Sequence, residues 1–134
     1  NTPAANLCVA LQKEVSSALW SLAFDNSTNQ MIIAAEGGII PLIALLSNTR
    51  AEVHRDAAGA LWSLGAAPSN QELIAKSGGI WPLVALLTGG SHGAQETAAG
   101  ALHSLAVLPE NHAAISDAGG VHALVGLFQS STAE

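Results

Sequence analysis

Along this chain the apolar residues recur three and four positions apart, and no stretch sustains the apolar–polar alternation of a half-buried strand. Leu83, Val84, Leu86 and Leu87 form one such stripe, and Leu124, Val125, Leu127 and Phe128 form another. The spacing predicts helices throughout. Breakers set their ends: the glycine pair Gly78-Gly79 closes a short helix over 71–76, because glycine takes the left-handed conformation without steric cost. Pro82 then sits near the first turn of a second helix, where a missing N–H does no harm. A third, longer helix is predicted over 92–107, ending before Pro109.

The same order of signals returns at a fixed interval. Asn29, Asn70 and Asn111 are spaced by 41, and so are Gly37-Gly38, Gly78-Gly79 and Gly119-Gly120. The Leu-x-Ser-Leu core runs 42 from Ser21 to Ser63 and 41 from there to Ser104, with the extra residue in the polar connector 25–28. A period in this range is the mark of stacked repeats. The central copy then has helices over 31–36, over 42–46 behind Pro41, and from Thr49 to about residue 66. Ser69 with Glu72, and Thr49 with Glu52, have the spacing of capping boxes. Residues 7–24 are a third helix without its first two, and 113–117 with 121–129 are a first and second helix without a third. One repeat cannot bury its own stripe, so neighbours must stack into a continuous core. The segments expected are 1–28, 29–69, 70–110 and 111–134, as a single solenoid.

These residues resemble the armadillo repeat. The likeness is carried by Asn70, Gly78-Gly79, the run Ile80-Trp81-Pro82-Leu83-Val84-Ala85-Leu86-Leu87, and Ala98-Ala99-Gly100-Ala101-Leu102-His103-Ser104-Leu105-Ala106, and it covers nearly the whole chain. The resemblance implies an all-α, right-handed α-α superhelix, here about three repeats with a partial repeat at each end. It also implies a concave groove lined by the third helices, in which a protein or peptide is held. Where the family's third helix carries Asn, this chain has Ser21, Ser63 and Ser104. A hydroxyl is shorter and lacks the amide's paired donor and acceptor. The tryptophan that nuclear import adaptors of the family place one turn earlier is Ser17, Gly59 or Gly100 here, which disfavours that role.

Charge narrows the partners. Four basic residues against ten acidic give a net charge of -6, too few cations to form a phosphate-binding stripe, so nucleic acid is not an expected partner. Only 10% of residues are charged, against about 25% in ordinary domains. Either some low-charge surface is covered, by neighbouring repeats, another chain or a larger assembly, or it is a weakly polar Ala- and Gly-rich surface. The apolar run 38–46 is about half the roughly 18 residues a membrane span needs, so direct membrane insertion is not expected. Cys8 is the one cysteine and is expected as a small core residue on a helix. With no disulfide, no initiator Met and no signal segment, the chain reads as a piece of a longer, intracellular protein, most simply cytoplasmic, with nucleus or organelle still open.

Which third-helix residues share a face follows from a step of about 100° per residue. Gly59 and Ala66 lie beside Ser63, with Trp62 and Arg55 on the flank, while Leu61 and Leu64 point into the stack. The matching places hold Ser17, Trp20, Ser21 and Lys13 in one neighbouring repeat, and Gly100, His103, Ser104 and Glu96 in the other. Trp20, Trp62 and His103 thus form a ladder over a floor of Ser and Gly. Two readings stay open: an aromatic-lined groove for a partner, or indoles lying flat on the bare Gly59-type surface between third helices. Trp81, matched by Ile40 and His122, is expected to pack on the second-helix side. The five histidines make no metal-ligand spacing, the glycine pairs are not phosphate loops, and the recurring serines form no nucleophile set. The chain is expected to be a non-catalytic interaction scaffold without a cofactor, or else a structural subunit packed in a larger assembly, including one at a membrane.

Overall fold

The structure, a computed structural model, describes residues 3–132, with side chains from Cys8 onward. Residues 1, 2, 133 and 134 of the first and last expected segments lie outside the described residues. Nine α-helices follow one another: α1 Pro3–Ala23, α2 Ser27–Ala35, α3 Ile39–Leu46, α4 His54–Leu64, α5 Pro68–Lys76, α6 Ile80–Gly89, α7 His92–Ala106, α8 His112–Asp117 and α9 Gly120–Thr132, all among the described residues. Short 3-10 turns, Ala51–Val53 and Pro109–Asn111, lead into α4 and α8. The third helices α1, α4 and α7 lie side by side, the second helices α3, α6 and α9 form another row, and α2 lies beside α5.

The glycine pairs divide their labour. Gly37, Gly78 and Gly119 have φ of +81°, +87° and +85°, the left-handed turn that ends each first helix. The second member is needed for closeness: a Cβ on Gly79 would stand 2.7 Å from Ile74 Cγ2. Pro41 and Pro82 each fall in the first turn of the helix they enter. That sharp corner lets Ile74, Leu83, Leu87, Leu102 and Leu105 meet in one buried core.

Several helix starts differ from the sequence expectation. Pro68 at N1 starts α5, no side chain caps it, and Ser69 Oγ instead donates toward Met31 Sδ at 3.4 Å. Thr49 and Glu52 make no box either. Arg50 precedes the 3-10 turn, its N–H donates to Asn48 Oδ1 at 2.8 Å, and α4 begins only at His54. Capping of α2 falls to Asn26, whose side chain accepts from Asn29 N, so that helix starts four residues before 31. Cys8 is exposed rather than a core residue: among the described residues no other helix covers it. Trp81, expected to pack, is 67% exposed: as the second residue of α6 it stands outside the row, as Ile40 does in α3.

The asparagines that mark the period hold repeats together. Asn70 Nδ2 donates to Leu64 O at 2.9 Å, the end of α4, and to Gln30 O at 3.1 Å, in the preceding repeat. Asn111 Nδ2 does the same with Leu105 O at 3.0 Å and Gln71 O at 3.2 Å. Gln71 Nε2 adds a bond to Gly65 O at 2.9 Å. The bonds to Leu64, Gly65 and Leu105 supply donors to carbonyls at helix ends, and those to Gln30 and Gln71 tie each repeat to the one before. Both asparagines are buried, so Asn70→Ala removes two buried hydrogen bonds and is expected to cost about 2 kcal/mol. Asn29, half-exposed and bonded to Leu22 O, should cost less than half as much when replaced by Ala. Urea unfolding of the two variants measures the difference; equal losses would remove the inter-repeat bond from the account.

Candidate functional site: the face of the third helices

Ala57, Ala58 and Ala60 are fully buried on α4, and such short side chains let it approach α1 and α7 closely. Gly59 and Gly100 go further, for they are the seats on which the tryptophans lie. A Cβ built on Gly59 would fall on the fused bond of the Trp20 indole, and one on Gly100 would fall on the same atoms of Trp62. Each indole therefore lies against the next repeat's third helix, covered on one side and still half-exposed. The ring is packed on glycine and also forms part of the open surface.

Arg55 extends this seat by one helical turn. Its guanidinium carbon lies 5.4 Å from the Trp20 ring centroid, and its Nη1 is 3.9 Å from Asp56 Oδ1. A cation over the negative face of an indole is attracted by the ring quadrupole. The matching position against Trp62 is Glu96, which is exposed and of the wrong sign to stack. Ser21 is exposed, while the other two serines of the floor are drawn in. Ser104 Oγ donates to Trp62 O at 3.2 Å, joining α7 to α4, and Ser63 is buried.

Between the two tryptophans opens a cleft of about 360 Å³, bounded by Trp20, Trp62, Phe24, Asp25, Ser63, Ala66 and Ser104. A second, of about 460 Å³, opens beside Trp20 toward Ser17, Ser21, Arg55 and Asp56. Seven of the twelve expected groove residues line these two clefts: Ser17, Trp20, Ser21, Arg55, Trp62, Ser63 and Ser104. Gly59 and Gly100 lie beneath the rings. Lys13, Glu96 and His103 are exposed on the same helices but line neither cleft. The sequence reading missed Phe24, 70% exposed, and Asp25, whose φ of +50° turns the chain at the rim. Phe24 matches Ala66 and Val107 by register, and all three are exposed. That shared position was the available signal.

Glu72 lies away from this face, in α5, where the hydrogen bond from Lys76 Nζ at 2.6 Å holds its carboxyl below the usual carboxylate range. Among the described residues no three His, Cys, Asp or Glu are gathered closely enough to share a metal ion. Nor is any single helix among them long and apolar enough to cross a membrane; α2 with α3 have the length together but bend by 85°. The face offers apolar and aromatic contact, with a carboxylate at its rim.

The sequence matches the family description "Armadillo/beta-catenin-like repeat" over residues 26–66 and again over 67–107. The chain belongs to the armadillo-repeat family. The matched stretches start three residues ahead of Asn29 and Asn70. An engineered protein solved by the Northeast Structural Genomics Consortium superposes with a TM-score of 0.84 at 36% identity, over 88% of this chain and 49% of that one. A second engineered protein from that consortium gives 0.86 at 36% identity, over 91% and 30%. A designed armadillo repeat protein gives 0.83 at 23% identity, over 88% and 50%, and so shows the fold alone. This armadillo chain spans half or less of the length of those structures. Comparison with curated proteins gave no match.

Proposed function

We propose that this armadillo chain is a non-catalytic scaffold that holds a partner protein or peptide along the face of α1, α4 and α7. Armadillo repeats are in general protein-binding modules, and scaffolds of this family are in general not enzymes. The observation that carries the reading is the cleft between Trp20 and Trp62, walled by two half-exposed indoles and the exposed Phe24. Aromatic side chains contribute large contact area at low entropic cost and are enriched at interface hot spots. The acidic balance of the chain again argues for a protein rather than a nucleic-acid partner. We place this function inside the cell.

The test pairs a variant at two exposed side chains with one at the half-exposed Trp62, each checked for its helical signal. Proteins recovered from lysate by the immobilised chain are compared with those recovered by a variant carrying Phe24→Ser and His103→Ala, and by a variant carrying Trp62→Ala. Loss of the same partner from both supports the groove, with a fall of tenfold or more expected for truncating a hot spot (about 2 kcal/mol). Unchanged recovery by variants that keep their helical signal would sink it.

A further inference from the structure

Trp81 lines neither cleft of the third-helix face. It is the second residue of α6 and is 67% exposed, as is Ile40, the matching residue of α3. A repeat contacts only its neighbours, and α6 has α3 on one side and α8 and α9 on the other. Neither end of the chain therefore decides the exposure of this ring. Beside it lies a recess of about 280 Å³, lined by Ala75, Gly78, Ile80, Trp81, Ala114 and Asp117. Three positions of this corner change together between repeats. The earlier corner has Ile40, Leu73 and Lys76; 41 residues on, the later one has Trp81, Ala114 and Asp117. The wall becomes aromatic, the floor is cut back from leucine to alanine, and a carboxylate replaces an ammonium.

Asp117 has the wrong charge for its place. It is the last residue of α8, where the free carbonyls of a helix end favour a cation, such as Lys76 at the end of α5. Asp117 makes no ion pair with any described residue. Lys76 is held by Glu72 at 2.6 Å and lines a separate cleft, which also carries Glu110. The recess thus joins an exposed indole to a carboxylate, and no cation lines it. Both features attract the same kind of group.

We propose that this recess is a second docking site, separate from the third-helix face, and that it takes an arginine side chain of a partner protein. The guanidinium stacks on the Trp81 ring, whose quadrupole attracts a cation. Its planar fork donates to both oxygens of Asp117. The methylene stem lies over Ala75, Ile80 and Ala114, as long cationic side chains do on apolar surface. Leu73, 40% exposed on α5, and Ile40 on α3 extend the apolar contact toward the preceding repeat. A lysine would reach the carboxylate, but its compact ammonium neither forks nor stacks as a plane. A quaternary ammonium calls for a cage of rings, and one ring lines this recess. An anionic lipid surface is opposed by Asp117 and by the net charge of -6.

The test selects random peptides displayed on phage against the whole chain. They are then depleted on a variant carrying Ala114→Leu and Asp117→Asn, which fills the recess and removes its charge. Ala114, Asp117 and Trp81 are all exposed, so every variant should keep its helical signal. The surviving peptides should carry arginine. Their affinity should fall tenfold or more with Trp81→Ala or with Asp117→Asn, as for a hot-spot ring or one side of an ion pair. Trp62→Ala should leave it unchanged, which separates this site from the third-helix face. Lysine in place of the peptide's arginine should bind several-fold more weakly. Glutamate there should abolish binding to the native chain, and Asp117→Arg should regain it. Survivors without arginine, equal binding of the lysine peptide, or release by Trp62→Ala and not by the recess variants would each overturn the proposal. So would a selection that yields no peptide, or a charge swap that restores nothing.

Discussion

Replacing Gly59 by leucine is expected to destabilise the chain by about 3 kcal/mol, the upper range for inserting bulk into a close-packed site. The added side chain would need the space that the Trp20 indole occupies. Trp20 is the movable partner, because it is half-exposed while the α4 backbone is held by its buried alanines on both sides. The ring should leave its seat and shed the Arg55 guanidinium now stacked on it. Urea unfolding followed by circular dichroism gives the loss, and a red shift of tryptophan emission reports the displaced ring. The decisive measurement is the double-mutant cycle with Trp20→Ala. With the ring gone, Gly59→Leu fills its vacated space and should cost much less, giving a coupling of roughly 1–3 kcal/mol. Additive losses would mean that the glycine answers only a backbone requirement. The same cycle on Gly100 and Trp62 should agree, since the two rings meet their seats through the same atoms.

How much of this was readable beforehand depends on how local the cause is. The turns were legible because Gly78 and Pro82 act on their own backbone, and the all-α repeat order followed from them. Helix starts were less legible. Ser69–Glu72 and Thr49–Glu52 have the right spacing, but Pro68 and Asn48 lie next to them and settle those ends first. The 41-residue spacing of Asn29, Asn70 and Asn111 stood out, yet its role did not. Their acceptors are main-chain carbonyls, which leave no mark in the sequence. The Trp20–Gly59 pair needed the relative rotation of helices 39 positions apart, which the step along one helix does not contain. Phe24 was missed because it closes α1 just past the face being counted, where the chain turns through Asp25.

The position of a residue within the row of repeats should matter as much as its position within the motif. Leu19, Leu61 and Leu102 hold the same place in three third helices. Leu61 and Leu102 are buried, each packed by the second helix of its own repeat and by a neighbouring third helix, whereas Leu19 is half-buried beside a groove between α1 and α3. Leu61→Ala leaves a cavity between elements fixed on every side, and a loss of about 3–4 kcal/mol is expected. Leu102→Ala should be close to it. Leu19→Ala removes a side chain that solvent already reaches, so about 1–2 kcal/mol is expected. In a stack whose stability sums repeat and nearest-neighbour terms, this gradient is the direct reading of how fully helices among the described residues cover each leucine. Three equal losses would mean that burial at this motif position is set within each repeat alone.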